Sequence, residues 1–261
     1  MYRIFINICV KLRYSFGFFF YFEVIFFVCL FQNKQKIEPH FLSIKSSVAP
    51  YMRAILINWI IQVHSSFELM AETLYITVSL IDRYLAREPV TKNRIQLVGI
   101  TALFIASKFE EIYYPMIDQF VLICDKLYTK KDILRMELQM LAVLNFELGR
   151  PLPLHFLRRG SKAAHADGRT HMLAKYLCEL MLVEYEIAHW RPSLLAATAL
   201  YMSLRLLSLE RENNVRDNVW TSTIEHYTGY SHEAVLKHAP IMCRVILNSE
   251  TSKYQVLIYN V

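Results

Sequence analysis

The chain has 261 residues, 54% of them hydrophobic, with only six glycines and eight prolines, a composition that disfavours a turn-rich β fold and predicts an all-α protein. The net charge of +6 is a mild basic excess, and the absence of any run of five or six basic residues argues against a nucleic-acid interface. Five widely spaced cysteines without a C-x-x-C pair fit a reduced intracellular compartment rather than a disulfide framework.

The first 44 residues differ from the rest in composition. Residues 14–31 read YSFGFFFYFEVIFFVCLF, which is about as long as the shortest membrane-spanning helix, and three basic residues precede them. Glu23 lies in the middle of this run, where a charge is costly in a bilayer, and no small-residue cleavage site follows. Three interpretations stay open: a gene-model artefact or unstructured extension, a membrane anchor, and a buried arm.

From about residue 48 onward, apolar residues recur at helical spacing. Five helices are predicted in the first half, over residues 52–63, 70–85, 94–109, 116–124 and 130–144. The third is apolar nearly all round its middle, which is typical of a central, buried helix. Pro89 ends the second helix, and Thr129 with Asp132 forms an N-cap pattern for the fifth.

The sequence GRPLP at residues 149–153 bars a continuous helix and predicts a domain boundary. Five further helices are predicted beyond it, over residues 154–163, 170–187, 193–207, 219–227 and 233–248, with a kink at Pro240. The tetrapeptide TALF at 101–104 matches TALY at 198–201, each in the third helix of its half. Because both tetrapeptides lie in the third helix of their half, they indicate a duplicated, two-domain architecture.

No catalytic motif is present in the sequence: it contains no G-x-S-x-G, no H-E-x-x-H and no glycine-rich phosphate loop. The nine histidines are scattered, and neither His165 nor His171 has a second ligand four positions on, so a solvated loop is favoured there over a metal site. We therefore predict no enzymatic activity, no metal and no cofactor.

Lys108 ends the most apolar helix of the chain, where its charge must reach water or a counter-charge. Glu137, on the predicted fifth helix of the same half, is the candidate partner. On physical grounds alone, this pattern favours an ion pair that stabilises the fold, or a lysine that extends to water.

The predicted first helix carries an apolar face. Met52, Ile55, Leu56 and Trp59 lie on it at turn spacing. Core packing is the simplest explanation of such a face. An exposed groove built from the same residues would instead dock short peptides.

These segments resemble cyclins, and among them the B-type mitotic cyclins, including the B-three subgroup. MRAILINW (52–59) is similar to the cyclin-box signature, IQLVG (95–99) and ASKFEEIY (106–113) to the central cyclin helix and its exit, YTKKDILRME (128–137) to the fifth helix, and LNFEL (144–148) to the segment that closes the first box. In the second half HFLRR (155–159), LAKYL (173–177), VEY (183–185) and EHYTGY (225–230) resemble B-type cyclins. The resemblance covers about residues 48–248.

The resemblance implies two tandem five-helix cyclin boxes, at 45–149 and 150–250, between the atypical segment 1–44 and a short tail at 251–261. It implies a non-catalytic subunit in nucleus and cytoplasm that binds and activates a cyclin-dependent protein kinase, recruits its substrates and controls the G2/M transition. The residues implied to contact the PSTAIRE-type helix of the kinase are Lys108, Phe109, Glu110, Glu137, Phe146 and Leu148. The hydrophobic patch implied to dock RxL-type substrate or inhibitor peptides comprises Met52, Ile55, Leu56, Trp59 and Gln96.

The sequence departs from the family pattern in four respects. Asn58 stands where aspartate is usual, the N-terminal helix that packs on the kinase is not recognisable, no R-x-x-L-x-x-x-x-N destruction box precedes the first box, and the tail after Ser249 is short. Two alternatives stay open. The first is a cyclin-fold adaptor or transcription-type scaffold without a kinase partner. A basic face on one helix would favour it, and the sequence does not show one. A membrane-anchored helical protein rests on residues 14–31 alone.

Overall fold

The computed structural model describes residues 36–42, 47–211 and 219–249. These residues contain ten α-helices and no β-strand. The helices are α1 (Pro50–Ser66), α2 (Ala71–Arg87), α3 (Ile95–Glu110), α4 (Ile117–Ile123), α5 (Lys130–Val143), α6 (Pro153–Ala163), α7 (Gly168–Leu180), α8 (Pro192–Arg211), α9 (Ser222–Thr228) and α10 (His232–Ser249). The all-α class predicted from composition is confirmed.

Local sequence signals account for several helix ends. The Thr129 hydroxyl accepts a bond from the Asp132 backbone N–H, and the Asp132 carboxylate accepts one from the Thr129 N–H at 2.9 Å, so the N-cap predicted for the fifth helix is confirmed. α9 ends at Gly229, whose φ of 76° is a left-handed conformation that glycine adopts at no steric cost. The kink predicted at Pro240, which lies inside α10, stays a prediction.

Helix α3 is the centre of the first half and packs on α1, α2 and α5. It is buried on nearly every side, as its all-round apolar sequence predicts. Gly99 permits the close approach of α1, because a β-carbon at this position would lie 2.7 Å from Leu56 Cδ1. The MRAIL segment therefore packs directly on the central helix.

Helix α8 holds the same central place in the second half, where it packs on α6, α7 and α10. The two matching tetrapeptides are equally buried: Thr101 and Thr198, which begin them, are both inaccessible to solvent. Over Pro192–Glu210, α8 is also the one described helix long and apolar enough to cross a membrane, but 67% of that stretch is buried within the protein, as in a core helix. The anchor considered at residues 14–31 lies outside the described residues.

The single helix predicted over residues 170–187 is wrong beyond Leu180. There the chain forms two short 3₁₀ turns, Met181–Val183 and Tyr185–Ile187. The physical reason is a tertiary contact, because the Val183 carbonyl accepts a hydrogen bond from the Arg53 guanidinium at 3.1 Å. Inside an α-helix, this carbonyl would already accept a hydrogen bond from the N–H of the residue four positions later.

Arg53 forms a buried ion pair within the first half and a hydrogen bond that joins the two halves. Its Nε and one terminal nitrogen donate to the two carboxylate oxygens of Asp82, at 2.6 and 2.7 Å, and its other terminal nitrogen donates to Val183. The side chains are only 1% and 4% exposed. This role of Arg53 was not predicted, although an arginine inside an apolar helical run indicates a buried counter-charge.

Residues 36–42 pack against the second half. Ile37, Phe41 and Leu42 are buried, the Phe41 and Tyr185 rings lie 5.3 Å apart, and the Leu42 N–H donates to the Tyr185 hydroxyl at 3.0 Å. These contacts argue against placing the whole of residues 1–44 outside the fold. Of the three interpretations considered for this segment, the buried arm fits residues 36–42.

Deletion of residues 1–44 is therefore expected to give a less stable protein than deletion of residues 1–35. The longer deletion removes the buried side chains of Ile37, Phe41 and Leu42, each contributing about 1.5–3 kcal/mol as an upper estimate. Urea unfolding of the two truncations, compared with the full chain, measures the difference. Equal stability of the two truncations would show that residues 36–42 are dispensable.

Candidate functional site

Lys108 and Glu137 form the ion pair that the sequence predicts, between the C-terminal end of α3 and the middle of α5. The lysine Nζ also lies 4.1 Å from the centroid of the Phe104 ring, a cation–π contact. The Glu137 side chain is 10% exposed and that of Lys108 is 32% exposed. The pair thus lies at the surface with its carboxylate turned inward and its ammonium within reach of a partner.

Large apolar side chains are exposed near this pair. Leu134 and Leu138 flank Glu137 on α5 and are 45% and 69% exposed, and Phe146, shortly after α5, is 69% exposed. Ile112 and Tyr113 follow α3 and are 79% and 93% exposed. We call these five residues together with Lys108 and Glu137 the α3–α5 surface. Several large apolar side chains exposed on segments that adjoin one ion pair are typical of a protein interaction site.

The loop after α5 holds its side chains in place through unusual backbone geometry. Asn145 and Phe146 have φ of 51° and 56°, left-handed values that cost energy in residues other than glycine. The Phe146 N–H donates to the Leu141 carbonyl at 2.9 Å, which closes the loop on the helix. Leu148 is half-buried and anchors the loop, whereas Phe146 points to solvent.

The exit of α3 is fixed by Glu111. Its carboxylate accepts from the Met70 N–H at 2.8 Å and from the Thr73 hydroxyl at 2.5 Å, and both donors belong to the start of α2. Phe109 and Glu110, the other predicted interface residues on α3, are half-buried just before it. The six residues predicted to contact a kinase thus lie at the end of α3, on α5 and in the loop that follows it. Four exposed apolar residues of the α3–α5 surface were not predicted from the sequence: Ile112, Tyr113, Leu134 and Leu138.

The predicted hydrophobic patch is only partly exposed. Met52, Trp59 and Gln96 are half-buried and Ile55 is 54% exposed, so part of this apolar face is accessible to solvent. Leu56 is 4% exposed and packs on Gly99. Leu56 therefore lies beneath the exposed part of the patch, against the central helix.

The charge around the patch is neutral to basic. Helix α1 contains no acidic residue, and the first turn of α3 has none. Lys92 and Arg94, on the short 3₁₀ turn before α3, are both exposed. A ligand of this patch would therefore be held by its apolar side chains rather than by a basic residue of its own.

The two histidines considered as metal ligands lie elsewhere. His171 Nδ1 shares a 2.8 Å hydrogen bond with the Ser161 hydroxyl, and burial, with Arg158 and Lys175 nearby, lowers the pKa of its imidazole. His165 lies in the turn between α6 and α7. Among the described residues, no group of three or more His, Cys, Asp or Glu is placed to hold a metal ion.

Two family descriptions match the chain: "Cyclin, N-terminal domain" over residues 23–149 and "Cyclin, C-terminal domain" over residues 151–259. The first match begins inside the segment 1–44. Among curated proteins, the G2/mitotic-specific cyclin-B2 of Gallus gallus is 45% identical over 223 residues, covering 85% of this chain and 54% of the relative. The cyclin-B of Patella vulgata is 46% identical over 202 residues, covering 77% of this chain and 48% of the relative.

The cyclin-B2 of Homo sapiens is 46% identical over 222 residues, which cover 84% of this chain and 54% of the human protein. The chain spans about half the length of the curated relatives it matches. Among solved structures, a viral cyclin from herpesvirus saimiri superposes with a TM-score of 0.66 at 22% identity, covering 84% of this chain and 92% of that chain. A chain of the yeast RNA Pol II CTD kinase CTDK-1 complex has a TM-score of 0.66 at 15% identity. The match covers 84% of this chain and 72% of that chain.

Proposed function

The chain belongs to the cyclin family, and from this premise we propose that it is a non-catalytic regulatory subunit that binds and activates a cyclin-dependent protein kinase at the G2/M transition, in nucleus and cytoplasm. The observation that carries the proposal is the α3–α5 surface: a half-exposed lysine paired with a buried glutamate, among exposed apolar side chains. The relatives named above, with about 45% identity, are G2/mitotic-specific cyclins by their descriptions.

The surface is suited to hold a helix of the kinase. An ammonium has three N–H donors, and Lys108 uses one on Glu137, so others remain for the backbone carbonyls of a partner. The apolar side chains of Ile112, Leu138 and Phe146 would lose their exposed area on binding and supply the non-directional part of the affinity. The charged pair then fixes the orientation of the partner, which apolar contact alone does not.

Activation follows as a shift in the conformational population of the kinase. A protein kinase transfers phosphate only when its β3 lysine is paired with the αC glutamate. A surface that binds only the conformer with this helix swung inward pulls the equilibrium toward it. Moving that equilibrium from 1:99 to 99:1 requires about 5.5 kcal/mol of differential binding.

A reconstitution experiment tests the proposal. The purified chain is mixed with a kinase that carries a PSTAIRE-type helix, and binding and histone phosphorylation are measured together. We expect a stable complex and phosphorylation that depends on the chain. A folded chain that neither binds nor activates the kinase would instead favour the cyclin-fold adaptor without a kinase partner.

We further propose that the patch on α1 and α3 docks RxL-type peptides and so recruits substrates or inhibitors. Ile55, with the half-buried Met52 and Trp59 beside it, offers an accessible apolar surface for the leucine of such a peptide. The side chain of Gln96, at the start of α3, is half-buried, and its amide is proposed to bond the peptide backbone. Because the surroundings are basic, the leucine rather than the arginine is the proposed anchor.

Trp59→Ala is expected to weaken binding of an RxL peptide at least about ten-fold, equivalent to about 1.4 kcal/mol. The reason is that the indole is half-buried in α1 and supplies much of the apolar wall. Fluorescence polarisation with a labelled peptide measures the affinity. Phosphorylation of a minimal peptide substrate is expected to stay unchanged, because the α3–α5 surface is intact.

Leu138→Ala is the matched control for this prediction, since it removes an exposed apolar side chain from the other surface. It should leave peptide affinity unchanged and weaken kinase binding. A folded Trp59→Ala variant with unaltered peptide affinity would assign this face to core packing.

A further inference from the structure

The segment between α3 and α4 carries the most exposed tyrosine among the described residues. Tyr113 is 93% exposed, compared with 59% for Tyr51, the next most exposed tyrosine in that part of the chain. Neither the hydroxyl nor the backbone of Tyr113 makes a hydrogen bond to another described residue. No hydrogen bond of the described fold therefore requires a tyrosine at this position.

The backbone of residues 111–116 is extended rather than helical at both ends. Glu111, the first residue, has φ of −78° and ψ of 146°, and Met116, the last, has φ of −72° and ψ of 149°. Pro115 disfavours a helical conformation of the residue before it. The backbone groups of residues 112–114 make no hydrogen bond within the described part of the chain. An extended segment with unpaired backbone groups can pair with another protein as a short added strand.

The residues that precede Tyr113 are acidic. Glu110 and Glu111 are followed by Ile112, which is 79% exposed. The Oε1 atom of Glu111 accepts both bonds from the start of α2, whereas its Oε2 atom makes no hydrogen bond to a described residue. Two carboxylates just before an exposed tyrosine complement the charge of an enzyme whose substrate-binding surface is basic.

We propose that Tyr113 is the phosphorylation site of a protein tyrosine kinase with a basic substrate-binding surface, and that the phosphate weakens binding of the cyclin-dependent kinase. The phenol oxygen attacks the γ-phosphorus of ATP, the bond from that phosphorus to the bridging oxygen breaks, and ADP leaves. The phenol proton passes to the catalytic-loop aspartate of the tyrosine kinase.

The phosphate acts on binding through its charge. It adds about −1.5 to −2 charges at pH 7 beside Glu110 and Glu111, on a surface whose exposed side chains are mostly apolar. Docking on this surface would remove water from the phosphate without supplying a counter-charge, which is costly. This second part rests on the proposed function, because it assumes that the kinase binds the α3–α5 surface.

Mass spectrometry tests the acceptor site. The full chain is incubated with ATP, Mg²⁺ and the purified catalytic domain of a non-receptor tyrosine kinase. Fragment ions of the tryptic peptide 109–126, which contains both Tyr113 and Tyr114, locate the phosphate. We expect most of the phosphate of this peptide on Tyr113, its loss in Tyr113→Phe and its retention in the matched control Tyr114→Phe. An unmodified Tyr113, while the same enzyme phosphorylates an acidic control peptide, would overturn the site.

Calorimetric titration tests the effect on binding. The chain phosphorylated at Tyr113 is expected to bind the cyclin-dependent kinase at least about ten-fold more weakly than the untreated chain. Tyr113→Phe after the same treatment should keep its affinity, which controls for phosphate on other tyrosines. Unchanged affinity of the phosphorylated chain would overturn this effect. An untreated chain that does not bind the kinase would refute the proposed function and this effect with it, whereas the mass spectrum would still decide the acceptor site.

Discussion

Replacement of Lys108 by alanine is expected to weaken kinase binding by roughly 30-fold to several thousand-fold, while helical content stays close to that of the wild type. The truncation removes the donors that are proposed to bind the kinase, and it would leave Glu137, whose side chain is 10% exposed, unpaired inside the proposed interface. Removing one partner of such a pair weakens binding by about 2–5 kcal/mol, and about 1.4 kcal/mol corresponds to a ten-fold change in the dissociation constant. Calorimetric titration with the kinase and far-UV circular dichroism measure the two quantities.

Two controls separate an interface role from a structural one. Lys175→Ala breaks a Lys175–Glu179 pair in the second half and should leave kinase binding unchanged. The charge swap Lys108→Glu with Glu137→Lys keeps an ion pair within the protein but inverts the charges presented to the kinase. If the pair acts at the interface, the swap restores stability and not binding. Restored binding, or loss of helical signal in Lys108→Ala, would make the pair a structural feature.

Much of the fold was predictable, because helix periodicity is a local property of the chain. The predicted fifth helix, residues 130–144, and the observed Lys130–Val143 differ by one residue, and its start carries the Thr129–Asp132 capping signal. The central third helix was recognisable because it is apolar on all sides. The all-α fold with two tandem cyclin domains is confirmed by the structure and by the matches to the two family descriptions.

The errors fall where distant residues decide local structure. The chain leaves the α-helix after Leu180 because Arg53, 130 positions from Val183 in sequence, needs a carbonyl there. Residues 36–42 were assigned to the atypical N-terminal segment because the residues before them are rich in phenylalanine. In the structure, however, the Phe41 ring packs against Tyr185. Neither contact leaves a trace in the local sequence pattern.

Part of the candidate site was predictable, because some of its residues also leave a signal in the local sequence. Lys108 was noticeable because a charge at the end of an apolar helix needs a partner, and Glu137 is that partner. The exposed leucines of α5 could not be separated from core residues, because helical spacing shows which residues share a face and not whether that face is covered. Ile133 and Leu134 are neighbours in sequence, but the first is inaccessible and the second is 45% exposed.

Arg53→Ala is expected to lower the free energy of unfolding by about 3–5 kcal/mol, a large fraction of the roughly 5–15 kcal/mol typical of a folded protein. The variant leaves the Asp82 carboxylate, 4% exposed, without its cation, and deprives the Val183 carbonyl of its donor. Both losses fall at the junction of the two halves. Urea unfolding followed by circular dichroism measures the change.

The matched control is Arg158→Ala, because Arg158 also forms an ion pair and also joins the halves, through Glu72, but its side chain is 56% exposed. Solvent screening should hold that loss below about 1 kcal/mol. The double variant Arg53→Met with Asp82→Leu removes both buried charges and fills their space, so it should recover most of the stability. Recovery would show that the orphaned carboxylate causes the loss, whereas a double variant as unstable as Arg53→Ala would assign the loss to the missing bond at Val183. A loss in Arg53→Ala no larger than in Arg158→Ala would contradict the burial argument itself.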